Sequence, residues 1–436
     1  MLELLLSTVP ADEQAGFDFH NDVPLEICCV REDAAARMAD FASGRLGANA
    51  FVLSDENTRA AAGDEPIHAL ERAGKKITED VLPPEPIDAS EELADQIAEA
   101  AAGADFLVAI GAGSICDLVK AAAAGLEKPV LLYGTAASMN GYTSSITALK
   151  VRGLKRTIPC PPALGVFAAP DVLARAPQRM TAAGVADFLS KCSSSTDWQA
   201  AHLLRGGSYS DRPRRIVEGL QQRLFEQAAR IGSGDADAAA MVMEALILSG
   251  FGMTLAGSSA PASGGEHLIS HYVDMKHALH GTPNDLHGTQ VGIGTIYALE
   301  LWASLLAMDP DAIDPEALAD AHPDDDAIRA QVFADWGDSV GEEVWAQWQE
   351  KALDRAALTA EIQTFRERLP LLREKLAADL RPARMVADCI AASGGPVRAE
   401  DTYADPAEFE NAKRRARYIR NRFTVLDLAA EAGIAP

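Results

Sequence analysis

The sequence predicts an α/β fold joined to an all-helical one. A Rossmann-like α/β domain is expected over residues 1–162 and an all-helical domain over residues 163–436. Three observations predict it. A chain of 436 residues is too long for one ordinary core and calls for two or three domains. Strand-like and helix-like segments alternate through the first third, the pattern of a parallel sheet with crossover helices. Beyond Pro161-Pro162 the pattern changes to long Ala- and Leu-rich helical stretches with few β-branched runs.

Taken in order, Ala50 to Ser54 has the apolar run of a buried strand that ends in a polar turn at Asp55, and a helix starts near Thr58. After the loop Leu82-Pro-Pro-Glu-Pro, Ser90-Glu-Glu-Leu carries the capping residue and early acids of a helix that runs to about Ala102. Asp105-Phe-Leu-Val-Ala-Ile is the next strand, Gly111-Ala-Gly-Ser a tight turn, and Ile115 to Ala124 a helix. A further strand, Pro129-Val-Leu-Leu-Tyr-Gly-Thr, leads into the small-residue loop Gly134 to Ser145. The longest apolar segment, Ala238 to Ala256, is interrupted by Glu244, Gly250 and Gly252 and fits a buried helix better than a membrane span. Asp309 to Asp326 is acidic and punctuated by Pro310, Pro315 and Pro323, as a solvated inter-helix region is. Lys413-Arg-Arg-Ala-Arg-Tyr-Ile-Arg-Asn-Arg is the one strongly basic run, a solvated helix face or a partner for acidic neighbours or another subunit.

Composition narrows the function classes. Lys plus Arg (39) against Asp plus Glu (64) leaves a net charge of −25, which repels nucleic acid and anionic membranes. Nearly half the residues are apolar and about a quarter charged, the profile of a soluble globular protein. The six cysteines are scattered with no Cys-x-x-Cys pair, so they are expected as reduced packing residues. Met1-Leu-Glu-Leu-Leu-Leu has an acid where a secretory signal carries basic charge, and the expected compartment is the cytoplasm.

Five of the nine histidines, His267, His271, His277, His280 and His287, fall in one run beside Glu266, Asp274 and Asp285. Clustered imidazoles and carboxylates are what a divalent-metal site of mixed nitrogen and oxygen ligands requires. His267 and His271 are spaced i, i+4, which puts both rings on one face of a helix. His287 opens a new apolar stretch, and Asp187 sits upstream in the small-residue context Ala183-Gly-Val-Ala-Asp. The residues alone leave both ligand sets open.

For a cofactor, Gly111-Ala-Gly-Ser-Ile-Cys-Asp lies between a strand and a helix, where backbone approaches a diphosphate and the helix start offers N–H groups. Ser114 and Asp117 have capping-box spacing, and Cys116 stands where the usual third glycine would be. A tight turn with no ligand fits the same residues. The loop with Thr135, Ser138, Asn140 and Ser144 follows the next strand, and ligands of open α/β sheets bind outside the carboxyl ends of strands. Asp55, at a third strand end, has the position to accept from ribose hydroxyls or to start its helix. Ser193-Ser-Ser lacks the glycines of a nucleophile elbow, and no P-loop is present.

From about Ala48 to Leu428 these motifs resemble the sn-glycerol-1-phosphate dehydrogenases, in the superfamily of glycerol dehydrogenase, iron-type alcohol dehydrogenases and dehydroquinate synthase. The resemblance is carried by Val52-Leu-Ser-Asp-Glu-Asn-Thr, Gly111-Ala-Gly-Ser-Ile-Cys-Asp-Leu-Val-Lys, Thr135-Ala-Ala-Ser-Met-Asn-Gly-Tyr-Thr-Ser and Gly184-Val-Ala-Asp with Lys191 and Asp197-Trp198. Gly265-Glu-His, Leu286-His-Gly and Ile419-Arg-Asn-Arg-Phe-Thr-Val-Leu complete it. It implies a dehydroquinate synthase-like fold and a Zn, Ni or Fe ion on Asp187, His267 and His287, with His271 as a helix neighbour or proton relay. It also implies an NAD or NADP cradle at Gly111, Gly113 and Ser114, with Thr135 and Ser138 toward phosphate and nicotinamide. Asp55, Asp117 and Ser144 join the expected cofactor set, and Asn140, His271 and Lys191 the catalytic one. Asn140 stands where the family has Asp near the substrate, and Gly111-Ala-Gly is poorer in glycine than the family loop.

The implied reaction is hydride transfer between NAD(P)H and dihydroxyacetone phosphate, giving sn-glycerol 1-phosphate for phospholipid metabolism. The implied state is a homo-oligomer with a small phosphorylated substrate and neither nucleic acid nor membrane insertion. Lys155, Arg156, Lys191 and Lys276 are candidates for the phosphate. The rival readings are a glycerol or polyol dehydrogenase, a cyclase resembling dehydroquinate synthase, and a metal- and nucleotide-binding homologue without catalysis.

Overall fold

The computed structural model describes residues 25–84, 87–151 and 154–434, without the side chains of Leu154 and Lys155. The Met1-Leu-Glu-Leu-Leu-Leu segment and the Lys155 side chain therefore lie outside the described residues. Six strands form a parallel sheet in the order β1-β8-β5-β4-β2-β3. They are β1 (Ile27–Val30), β2 (Asn49–Asp55), β3 (Lys76–Leu82), β4 (Phe106–Gly111), β5 (Val130–Gly134) and β8 (Gly165–Ala168). Every residue of β4 and β5 is buried, the state that a continuous apolar run reaches when both sheet faces are covered. β3 is the polar edge, mostly exposed along Lys-Ile-Thr-Glu-Asp-Val-Leu, and its charges discourage pairing with another chain. A separate antiparallel hairpin joins β6 (Ile146–Val151) to β7 (Leu154–Pro159).

The sheet order places a topological switch point at β2 and β4. From β2 the chain goes outward to β3, then returns to lay β4 on the other side of β2. The crevice beyond the carboxyl ends of such strands is where open α/β sheets take ligands. Asp55 and Gly111 are the last residues of those two strands.

The chain divides into two compact units, and their bounds differ from the expected division at residue 162. The first holds the chain as far as Phe188, Asp211–Ser259 and Cys389–Gly395; the second holds Leu189–Ser210, Ala260–Asp388 and the chain from Pro396. Two facts explain the first unit's reach. β8 lies inside the sheet, between β1 and β5. The helix Ala236–Ala256 packs so closely on the end of β5 that a β-carbon on Gly134 would lie 2.6 Å from Met243 Cε. A sequence boundary drawn where periodicity changes misses such helices, because they belong to the sheet by packing. Among its described residues, the second unit is helical throughout.

Ala236–Ala256 and His287–Ala307 are long and apolar enough to cross a membrane, but most of each is buried inside the protein, as in core helices of soluble proteins. All six cysteines are buried and unbridged, as the sequence predicts.

Candidate active site

In the first unit, Gly111 ends β4 and the helix Gly113–Leu126 begins two residues later. A β-carbon on Gly111 would lie 2.6 Å from Ile115 Cβ, so the return of the helix onto the strand end requires glycine here. This corrects the expected capping box. The N-cap is Ala112, with no side-chain bond, and Ser114 already lies inside the helix. Asp117 accepts instead from the Thr147 hydroxyl at 3.0 Å, tying the helix to β6. The first turn thus keeps the uncapped N–H groups that suit an anion, and Gly113 leaves them open, since an added β-carbon meets nothing closer than Met139 Cγ at 4.0 Å.

The second loop is anchored from below. Thr135 N–H donates to Gly111 O at 3.1 Å, which aligns the ends of β4 and β5. Lys120 is buried, and its ammonium donates to the carbonyls of Gly141 (2.9 Å), Ser144 (3.0 Å) and Ile146 (2.6 Å). Ser144 is fully buried, and its hydroxyl lies 3.1 Å from Gly141 O and 3.0 Å from Ile146 O, so it helps to hold the loop. Thr135 and Ser138 are buried at the head of the loop. Asp55 acts as a helix cap: its carboxylate accepts from Asn57 N at 2.8 Å and Thr58 N at 3.0 Å, a capping box with Thr58.

Asn140 faces Asp187. Its backbone N–H donates to Asp187 Oδ2 at 3.0 Å, and its amide Nδ2 donates to Oδ1 at 3.3 Å and to Ser249 Oγ at 3.3 Å. Two helix glycines allow that approach. On Gly184 a β-carbon would lie 2.0 Å from Ala137 O, and on Gly250 it would lie 2.3 Å from Asn140 O. Both helices, Gln178–Leu189 and Ala236–Ala256, therefore press directly on the backbone of the loop.

In the second unit three imidazoles converge. Ring centroids are 5.2 Å apart for His267 and His287, 5.7 Å for His271 and His287 and 6.1 Å for His267 and His271. His267 and His271 sit on the helix Gly265–His280, and His287 is the first residue of the helix His287–Ala307. Gly294 lets these helices meet, since its β-carbon would lie 2.5 Å from Glu266 O. His267 Nδ1 lies 2.9 Å from Glu266 Oε1, and His287 Nδ1 lies 3.0 Å from Ser270 Oγ. With each Nδ1 engaged, Nε2 is the nitrogen left for a metal. Among the described residues, the ligand atoms of Asp187, His267 and His287 all lie within 4.8 Å of one another, and His271 is outside that set.

The sequence profile described as iron-containing alcohol dehydrogenase matches residues 29–177. A glycerol-1-phosphate dehydrogenase of the NAD(P)+ type from Geobacillus stearothermophilus is 28% identical over 93% of this chain and 93% of its own. One from Bacillus subtilis is 30% identical over 77% of this chain and 88% of its own. This chain belongs to the glycerol-1-phosphate dehydrogenase family. An alcohol dehydrogenase from Oenococcus oeni shares the fold, with a TM-score of 0.60 at 13% identity over 94% of this chain and 98% of that one. The family is one of oxidoreductases, and the two-part architecture expected from the resemblance is the one observed.

Further side chains surround the histidines, and Ser193, Ser270, Gln290 and Trp302 among them were not expected there. Glu266, fully buried, accepts from Ser193 Oγ at 2.6 Å and Gly264 N at 2.6 Å besides facing His267. Burial alone would raise its carboxyl, but the bonds from His267, Ser193 and Gly264 outweigh it and hold the group below the ordinary value. Asp197 beneath it accepts from Gly265 N and Trp302 Nε1, both at 2.8 Å, and burial with the Glu266 charge pushes it up to about 8. Behind His287, Gln290 Nε2 donates to Ser270 Oγ at 3.1 Å and Asp274 Oδ1 at 2.9 Å. The carboxylate next to His267 in Gly265-Glu-His was the available signal for such support; Ser270 and Gln290 carried none.

Lys191 is buried at the start of the helix Lys191–Arg205, its ammonium 3.1 Å from Ser190 Oγ. Lys276 donates to Asp335 O at 2.7 Å and lies 4.6 Å from the Trp336 ring centre, a packing role and not a phosphate site. Arg156 is exposed.

Proposed function

We propose that this chain interconverts dihydroxyacetone phosphate and sn-glycerol 1-phosphate, with NAD or NADP as hydride carrier and one divalent cation held by Asp187, His267 and His287. The observation that carries the reading is the convergence of that carboxylate and those two imidazoles in a chain of this family. One oxygen and two nitrogen donors suit Zn²⁺, Ni²⁺ or Fe²⁺. The engaged Nδ1 atoms supply the fit, because they leave Nε2 of both rings as the donor.

Once bound, the cation supplies Lewis acidity at the ketone oxygen and the nicotinamide supplies the hydride. The chain's own residues do the rest. Asn140 holds both oxygens of Asp187 and keeps that carboxylate oriented, so it positions the ligand and relays no proton. His271, half-buried beside His267 and His287, is placed to exchange a proton with solvent. The uncapped turn at Gly113 and Ser114, with Thr135 and Ser138 close by in sequence beyond β5, takes the coenzyme's diphosphate in the first unit. The coenzyme thus belongs to the first unit and the histidines to the second. Operation in the cytoplasm as a homo-oligomer belongs to the same reading, and light scattering above the mass of one chain checks the assembly.

The test follows NADH and NADPH oxidation on metal-defined protein with dihydroxyacetone phosphate and with dihydroxyacetone. The reading predicts that the phosphorylated ketone is reduced far faster. Equal rates would move the assignment to a glycerol or polyol dehydrogenase, and coenzyme binding without turnover of any ketone would mark a homologue that has lost catalysis.

A further inference from the structure

The two histidines of the proposed metal site are backed unequally. Behind His267 stands a carboxylate: Glu266 Oε1 lies 2.9 Å from Nδ1, and the group is fully buried. Behind His287 stands a hydroxyl, Ser270 Oγ at 3.0 Å, which is linked to the Asp274 carboxylate through the Gln290 amide. A carboxylate accepts but does not donate, so it fixes the proton of His267 on Nδ1 and makes Nε2 more electron-rich. A hydroxyl fixes orientation with less polarisation. Glu266 is itself locked, by Gly264 N–H and Ser193 Oγ–H at 2.6 Å each, and the Ser193 hydroxyl also faces Ser190 O at 3.1 Å.

We propose that Glu266 is a positioning residue that makes His267 the stronger of the two histidine ligands, so that metal affinity depends on the Glu266 charge more than on Ser270. This rests on the metal reading above. Glu266→Gln isolates the charge. The Gln carbonyl still accepts from His267 Nδ1–H and Gly264 N–H, and its amide donates to Ser193 Oγ once that hydroxyl turns its hydrogen to Ser190 O, 3.1 Å away.

The experiment loads full-length apo-protein with Zn²⁺ against a chromophoric chelator and compares wild type, Glu266→Gln and Ser270→Ala, with apo melting temperatures alongside. The expected result is a Zn²⁺ dissociation constant weakened about 10–100-fold in Glu266→Gln, less in Ser270→Ala, with the apo melting temperature little changed. A merely structural role would move the melting temperature and leave affinity alone. Affinity in folded Glu266→Gln within about twofold of wild type, well inside the expected range, overturns the proposal. If Glu266→Gln does not fold, Ser193→Ala removes one of the two bonds that lock the carboxylate. Weakened Zn²⁺ binding there supports the proposal, and unchanged binding overturns it. A wild-type chain that takes up no Zn²⁺, Ni²⁺ or Fe²⁺ overturns the metal reading itself, an outcome separate from either variant's behaviour.

Discussion

Replacing His287 with alanine removes one of the three groups whose ligand atoms lie within 4.8 Å of one another. Purified His287→Ala is expected to carry almost no metal by elemental analysis while keeping a wild-type circular dichroism spectrum. His271→Ala is expected to keep its metal, because His271 is not one of those three groups. Metal lost from His271→Ala would make the i, i+4 pair with His267 the true site. Sequence spacing alone favoured that pair; separating it from His287 needed the helix-to-helix contact at Gly294, which no spacing within one helix encodes. A residue far from this cluster offers a pH test. His322 Nε2 faces Arg417 Nη2 at 2.9 Å and Nδ1 faces Pro323 O at 3.0 Å, and burial, then the Arg417 charge, holds its pKa below the ordinary 6.5. The folded chain therefore binds fewer protons than the unfolded one in this range, so the contribution is present above 6.5 and is lost as pH falls through the folded pKa. In urea titrations between about pH 7.5 and about pH 5, His322→Gln should lose stability less steeply than wild type. Identical slopes would contradict the assignment.

At the scale of elements, the strands and helices that carry the loops were legible where the sequence states them twice, by apolar run and by flanking turn. β2, β4, β5 and the Ser90-capped helix lie where expected. β1 and β8 are only four residues each, and β3 is polar and exposed, so none gave a clear periodic signal. The capping box at Ser114 failed because glycines and alanine let the helix begin two residues earlier than side-chain chemistry suggests. Gly184 was marked as part of the small-residue context around Asp187, whereas the role of Gly250 was invisible, since it lies inside a helical stretch where glycine usually costs stability. Their place in the structure makes a prediction. Gly184→Ala puts a methyl where Ala137 O stands and should destabilise the protein by about 1–3 kcal/mol in urea unfolding. It should also weaken NADH binding measured by fluorescence, because the displaced loop carries Thr135 and Ser138. Unchanged stability and binding would show that the helix and loop do not meet as described.

At the scale of the molecule, fold class and the kind of chemistry were both legible, and the partition of the chain was not. Alternating strands and helices announce the sheet, and the histidine run announces the metal. The helices Arg212–Gly232 and Ala236–Ala256 look in sequence like the rest of the helical half, yet they pack with the first unit. The net charge of −25 does not decide where a phosphate would bind, since one local pocket can differ in sign from the whole. Of the sequence-stated cations with described side chains, Lys276 is committed to packing, and Lys191 remains beside the serine-rich start of its helix. The most direct measurement titrates metal-free protein with Zn²⁺, Ni²⁺ or Fe²⁺ and follows NADH oxidation driven by dihydroxyacetone phosphate. The account predicts no turnover without metal and a rate that climbs linearly to a plateau at about one equivalent per chain, as a single three-ligand site requires. Full turnover in the metal-free protein would contradict it.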